Sequence, residues 1–235
     1  MAETRRTCVV IPELNEFDQA LRCGYKILQT IPTIDQIIVV DDGSKSWHIN
    51  VPPNVRVLYN HTNRGVGYSL IEGLKNALEE GFDYIITWGA IDRGIDLFSF
   101  QILLGLLEQS DVVLTQRFLA NYDQETSTRR FAIQLHKWLF KLKTGRHYPD
   151  TTIGMRGFRA NVLRKLLSTL SSKQPEWFWR YGFEVWLLIQ IARSNYKIDF
   201  CWTNLAKSTN SHIRVWDKNS FIHLFTPFIK EANID

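Results

Sequence analysis

The sequence predicts an α/β fold: one domain with a mostly parallel central sheet and helices on both faces. Three observations predict it. First, short β-branched runs recur with no polar alternation, as in "TCVVIP" (7–12), "DQIIVV" (35–40) and "YIITW" (84–88). Second, stretches with apolar residues at helical spacing separate them. "GYSLIEGLKNALEEG" (67–81), for example, sets Leu70, Ile71, Leu74, Ala77 and Leu78 on one face. Strands that are apolar throughout are covered on both sides, and their alternation with helices is the pattern of a parallel sheet. Third, 235 residues with 45% hydrophobic and 22% charged side chains can bury one large core. No repeat, low-complexity segment or linker divides the chain.

Element by element, "TCVVIP" is a strand that Pro12 is expected to stop. "EFDQALRCGYKILQTI" (16–31) is a helix, with Asn15 placed as its N-cap. "DQIIVV" is the second strand and runs into "DDGS" (41–44). "NVRVLYN" (54–60) alternates as a half-exposed strand does, and the 67–81 helix follows. "YIITW" precedes a turn, a helix over 96–109 and a strand over 111–116. The second half is less regular. "RRFAIQLHKWLFKLKTG" (129–145) reads as a basic amphipathic helix closed by Gly145. "DTTIGMRGFRANVLRKLL" (150–167) reads as turn, strand and helix, and 181–202 as a long apolar helix and a strand. About residues 1–118 form the regular first half and about 119–235 the second half with a C-terminal tail.

The net charge of +4 suits anionic substrates or an anionic membrane surface and is too small to argue for nucleic acid. Three cysteines, odd in number and without a C-x-x-C pair, argue against a disulfide framework or a zinc site. A reducing, cytoplasmic setting is the expectation. The first residues carry no apolar signal-peptide region, and no stretch of 18 apolar residues marks a membrane span.

In parallel sheets, ligands sit beyond the carboxyl ends of the strands. Asp41, Asp42, Gly43 and Ser44 fall there. Adjacent carboxylates repel and call for donors, which a nucleobase N–H or ribose hydroxyls would supply; a plain turn cap is the alternative. "NRGVG" (63–67) invites a dinucleotide reading. It fails, because Leu70 stands where the third glycine belongs and the segment follows the third strand. Gly65 and Gly67 instead let the backbone pass close to a ligand or a neighbouring loop at a helix start.

Taken together, "VVIPELNE" (9–16), "IIVVDDGS" (37–44), "NRGVGYSLIEGLKNA" (63–77), "TQRF" (115–118), "DTTIGMRGFRANVL" (150–163) and "FEVWLLIQIARSNYKI" (183–198) occur in the order and spacing of family 2 glycosyltransferases. The chain most resembles the dolichol- or polyprenyl-phosphate sugar synthases, over roughly residues 7 to 215. The resemblance implies a GT-A fold, an NDP-sugar donor (UDP- or GDP-sugar) and inverting transfer. It sets Pro12, Leu14, Asn15 and Glu16 against the nucleotide base and Gly65 and Gly67 beside the donor, with Trp88, Gly89 and Ala90 at the nucleotide. On the acceptor side it implies Asp150, Arg129, Arg130, Glu184, Lys207 and Ser211.

At one place the chain departs from the family. After "YIIT" and Trp88 the pattern calls for Asp-x-Asp, and Gly89-Ala90-Ile91 stand there. Mg²⁺ and Mn²⁺ want hard oxygen ligands, and Asp92 could supply one carboxylate but not two. Metal-independent transfer is thus one expectation and Mg²⁺ or Mn²⁺ at Asp92 the other. Fixed cations can stabilise a diphosphate leaving group, and Arg93 and Arg117 are the candidates, ahead of Arg129, Arg130 and Lys207. Asp150 and Glu184 match family positions, but Asp150 also reads as a turn cap and Glu184 as the partner of a buried arginine. An already ionised polyprenyl phosphate acceptor requires no base; a growing glycan is the other acceptor considered.

Aromatics crowd "EWFWRYGFEVW" (176–186): core, sugar stacking and membrane-interface readings all stand open. Lys137, Lys141 and Lys143 in "HKWLFKLK" suit either an anionic lipid surface or a solvated helix face. Peripheral membrane contact or a membrane-anchoring subunit follows as the partner expectation. The runner-up function is a catalytically inactive relative that binds nucleotide or partner proteins.

Overall fold

Seven strands form a single sheet in the order β3-β2-β1-β4-β6-β5-β7. The computed structural model describes residues 5–45, 51–89, 96–118, 121, 125–204 and 218–234, and for 218–221 the backbone alone. The first half runs β1 (Thr7–Glu13), α1 (Phe17–Thr30), β2 (Gln36–Asp41), β3 (Val55–Tyr59), α2 (Val66–Glu79), β4 (Tyr84–Thr87), α3 (Leu97–Leu107) and β5 (Val112–Arg117). The second half runs α4 (Ser127–Thr144), β6 (Arg156–Arg159), α5 (Ala160–Leu167), α6 (Phe183–Ala192), β7 (Ile198–Thr203) and α7 (Lys218–Phe225). A wide helical turn, Phe178–Gly182, leads into α6, and a tight one, Thr226–Phe228, follows α7.

Side-chain alternation along buried strands builds two cores. Val10, Ile38 and Val40 point to the layer of α2, α5 and α6. Val9, Ile11, Ile37 and Val39 point to that of α1 and α3. All strand pairs are parallel except those of β6, which runs antiparallel between β4 and β5. This insertion sets Arg156 opposite Thr87, at the carboxyl end of β4, and opposite Leu114, midway along β5.

Pro12 does not stop β1, which continues to Glu13. Val10 O accepts from Trp88 N, and Glu13 O accepts from Asp42 N. Successive residues face opposite neighbours, so Pro12, like Val10, faces the β4 side. The β1–β4 pairing has already ended at Val10 and Thr87, so the missing N–H breaks no ladder bond. Asn15 is not the cap of α1 either. Glu16 holds that position without a side-chain capping bond, and Asn15 sits at φ 59°.

The aromatic segment 176–186 resolves mostly as core. Trp177, Phe178, Phe183 and Trp186 are buried around one another. Trp179 meets Tyr68 of α2 edge-on at 5.4 Å. These rings lock the second half of the chain onto α2 and leave the interface and sugar-stacking readings without those four side chains.

Candidate active site

At the carboxyl ends of β1 and β2, Glu13 and Asp41 stand opposite each other in register. Both side chains are buried. Glu13 accepts from Glu16 N at 2.9 Å and Ser44 Oγ at 3.3 Å, and Asp41 accepts from Ser44 N at 2.7 Å. Burial pushes the Glu13 carboxyl up to about 7; the facing Asp41 adds to this, while the Glu16 N–H opposes it. The loop closes over them from above: Asn15 N donates to Ser44 Oγ at 2.7 Å and Asn15 Oδ1 accepts from Lys45 N at 3.3 Å. Leu14 and Glu16 are half-buried beside it.

The donors that the two aspartates call for come from the protein. Asp42 accepts from Arg64 N at 2.9 Å, Gly65 N at 2.8 Å and Asn60 Nδ2 at 3.1 Å. It therefore anchors the 60–65 loop. Gly43, at φ +85°, lies so close to this loop that a Cβ would meet Asn63 N at 2.7 Å. Gly65, at φ +103°, and Gly67 pass close to a neighbouring turn rather than leave room for a ligand. A Cβ on Gly65 would lie 2.5 Å from Trp179 O, and one on Gly67 2.7 Å from Arg180 O. Arg180 also donates to Asn63 Oδ1.

Trp88 differs from its expected role. Its indole is 2% exposed, edge-on to Phe100 at 5.9 Å, so its side chain faces the core. Gly89 is exposed with open space above its Cα. Ala90, Asp92 and Arg93, and Lys207 and Ser211 of the tail, lie outside the described residues.

Arg117 is buried and ion-paired rather than free for a diphosphate. Its Nε meets Asp150 at 2.6 Å, its Nη1 meets Glu125 at 3.1 Å and its Nη2 donates to Thr152 Oγ1 at 2.7 Å. Asp150 also closes the expected turn, accepting from Thr152 N at 2.9 Å. Arg129 shares Glu125 at 3.3 Å and takes the Thr126 cap at the start of α4. Arg130 follows, half-buried, its guanidinium 3.5 Å from Ser127 Oγ.

A cavity of about 100 Å³ opens between α4, the 151–156 segment, the start of α6 and α7. Its polar wall is Arg129, His136, Thr151, Thr152, Arg156 and Glu184, joined by Tyr181. Its apolar wall includes Ile133, Val185, Leu224 and Phe225. Arg156 is the buried arginine expected beside Glu184, their charges 3.8 Å apart. Burial lowers the Arg156 pKa, and Glu184 and Asp150 oppose the shift. His136 bonds Thr151 Oγ1 at 2.8 Å, and burial holds its pKa down at about 4, so the ring is neutral. The cavity adjoins the β4 turn: a Cβ on Gly154 would lie 3.1 Å from Glu184 Oε1 and 3.7 Å from Gly89 N. Sequence reasoning passed over Glu13, His136 and Arg156, whereas Tyr181 belongs to the aromatic segment whose sugar-stacking reading stood open. Ionisable residues in "VVIPE" and "GMRGF" were the signals, since a charge in an apolar strand calls for a partner.

The profile of glycosyl transferase family 2 matches residues 8–167. The chain belongs to that family. This family 2 glycosyltransferase is 26% identical over 205 residues to an undecaprenyl-phosphate mannosyltransferase of Micrococcus luteus, across 82% of this chain and 80% of that one. Solved structures share its fold. Glucosyl-3-phosphoglycerate synthase of Mycobacterium tuberculosis with phosphoglyceric acid superposes at TM-score 0.66 and 18% identity, covering 95% of this chain and 80% of that one. The same enzyme with Mn²⁺ and uridine-diphosphate-glucose gives 0.61 and 16%, over 95% and 79%. At these identities the likeness shows a shared fold, the GT-A class of α/β sheet described above.

For a divalent cation, Trp88 and Gly89 at the described end of β4 offer no side-chain oxygen. Among the described residues no three His, Cys, Asp or Glu side chains group as a metal site. The described residues alone do not fit a protein-held metal.

Proposed function

We propose that this glycosyltransferase moves a sugar, with inversion, from a UDP- or GDP-sugar to a polyprenyl phosphate. The observation that carries the proposal is the cavity beside Gly89. Two arginines and two threonine hydroxyls suit a phosphate, and the apolar wall suits the first carbons of a lipid tail. The undecaprenyl-phosphate mannosyltransferase relative supports the same acceptor class. Glu13, Asp41 and the Asn15 loop hold the nucleoside in this reading, and the sugar lies over Gly89.

An acceptor phosphate oxygen attacks the anomeric carbon, the new C–O bond forms, and the nucleoside diphosphate leaves with the electron pair. The phosphate is already ionised, so no proton need be removed. Glu184, held against Arg156, acts in placing that arginine rather than as a base. Were Mg²⁺ or Mn²⁺ bound, Asp92 would be the one carboxylate of the 89–92 segment to hold it, and the ion would supply positive charge for the leaving diphosphate. Weak or absent metal dependence follows, with Arg93 and the basic cavity wall supplying positive charge. Such an acceptor sets the enzyme at the cytoplasmic face of a membrane, through peripheral contact or an anchoring subunit.

The test is transfer of labelled sugar from GDP- and UDP-sugars to a short-chain polyprenyl phosphate, with Mn²⁺ and with EDTA. Transfer that survives EDTA is expected. Glu184→Gln should change kcat by less than about tenfold, whereas loss of a general base costs about 10²–10⁴. Such a loss, or transfer to an oligosaccharide hydroxyl only, overturns the lipid-phosphate reading.

A further inference from the structure

We infer that the outer face of α4 is a docking surface for an anionic lipid bilayer. Phe131, Trp138 and Leu142 are 61%, 57% and 63% exposed. They lie seven and then four residues apart, two turns and one turn of helix, so they form one stripe. Isolated exposed apolar residues are ordinary, but three aligned large ones on an 18-residue helix are a surface with an occupant. The opposite face is buried by Ile133, His136 and Phe140, so burial and exposure divide the helix cleanly.

Charge selects the occupant. Arg130, Lys137 and Lys141 repeat the same seven-and-four spacing along one flank of the stripe. A basic row beside an apolar row with a tryptophan is the composition of a helix lying in an anionic interface, its rings at headgroup depth. A protein partner or a second copy would have to match that basic row as well as the stripe. Lys143 holds Glu231 at 2.7 Å, which brings the exposed Ile229 and Lys230 to the C-terminal end of the same helix. No helix among the described residues is long and apolar enough to cross a membrane, so this contact is lateral. One helix thus turns Arg129, Ile133 and His136 to the cavity and its other face to the lipid.

The test is co-sedimentation with vesicles of phosphatidylcholine, with and without roughly one-third phosphatidylglycerol. They contain no polyprenyl phosphate, so the outcome does not depend on the proposed acceptor. Binding to the anionic vesicles is expected, weakening as salt rises. Phe131→Ser/Trp138→Ser/Leu142→Ser and, separately, Lys137→Glu/Lys141→Glu should each weaken it by about tenfold or more. Melting temperature and donor binding serve as controls for folding. Brominated lipids should quench wild-type fluorescence more than that of Trp138→Phe. Absence of binding by the wild type, or binding unchanged in both variants, overturns the inference. So does a wild-type dimer in ultracentrifugation that the serine variant dissociates while vesicle binding stays intact.

Discussion

Glu13 is a carboxyl group placed where ionisation is costly. It is buried beside Asp41, and its pKa is pushed up to about 7 against an ordinary 4.5. The folded state therefore holds a proton that the unfolded chain releases between about 4.5 and 7, and stability falls as pH rises through that window. Glu13→Gln keeps the shape and removes the titration. In urea melts the variant should match the wild type near pH 5 and exceed it at pH 8 by about 2–3 kcal/mol. His136 has the opposite sign. Burial holds it neutral, with a pKa near 4 against 6.5 when unfolded, so stability is lost as pH falls from about 6.5 to about 4. His136→Phe should flatten that acid limb by about 3 kcal/mol between pH 7 and pH 4, read as the pH dependence of the urea midpoint. An acid limb unchanged in the variant would place the proton uptake elsewhere.

Between elements, α2 is joined closely to the Phe178–Gly182 turn. Gly65 starts α2 in a backbone region that side chains avoid, with the Trp179 carbonyl 2.5 Å from where a Cβ would lie. Gly65→Ala combines backbone strain with a clash against main chain that cannot swing away. A loss of about 2–4 kcal/mol in denaturant midpoint is expected. The same change should weaken donor binding, because Asp42 accepts from Gly65 N and the loop is held by that bond. A neutral substitution would show the turn to be displaceable.

At the scale of the whole molecule, Gly154 lies close both to Glu184 of the cavity and to Gly89 at the end of β4. Gly154→Val places a branched side chain against Glu184 and Gly89. Donor affinity by calorimetry should stay within about threefold while transfer falls by about 100-fold, because reacting groups held even 1 Å apart lose the advantage of proximity. Equal losses in donor binding and transfer would mean that Gly154 belongs to the donor site instead.

Much of this architecture was legible in the chain. The strand runs, the helix over 129–145 with Gly145 at its end and the turn at Asp150 follow from local periodicity and capping, which act within a few residues. The roles of Pro12 and Asn15 were not, because a proline stops a strand only where its N–H faces a pairing neighbour. Trp88 and Arg117 illustrate the same limit. A side chain at a strand end can face core, partner or crevice, and the letter alone does not say which.

By itself, then, the sequence determined the order of strands and helices and that Gly89-Ala90-Ile91, after β4, carry no side-chain carboxylate. Each of these depends on residues close together in the chain. Only the tertiary structure decided that β6 enters the sheet antiparallel, that Arg117 is neutralised by Asp150 from 33 residues away, and that Asp42 holds the loop 22 residues on. It also decided that α4 buries one face on a cavity and leaves Phe131, Trp138 and Leu142 outside. The physical reason is that a buried charge or an exposed ring is set by what packs against it, and those neighbours come from distant parts of the chain.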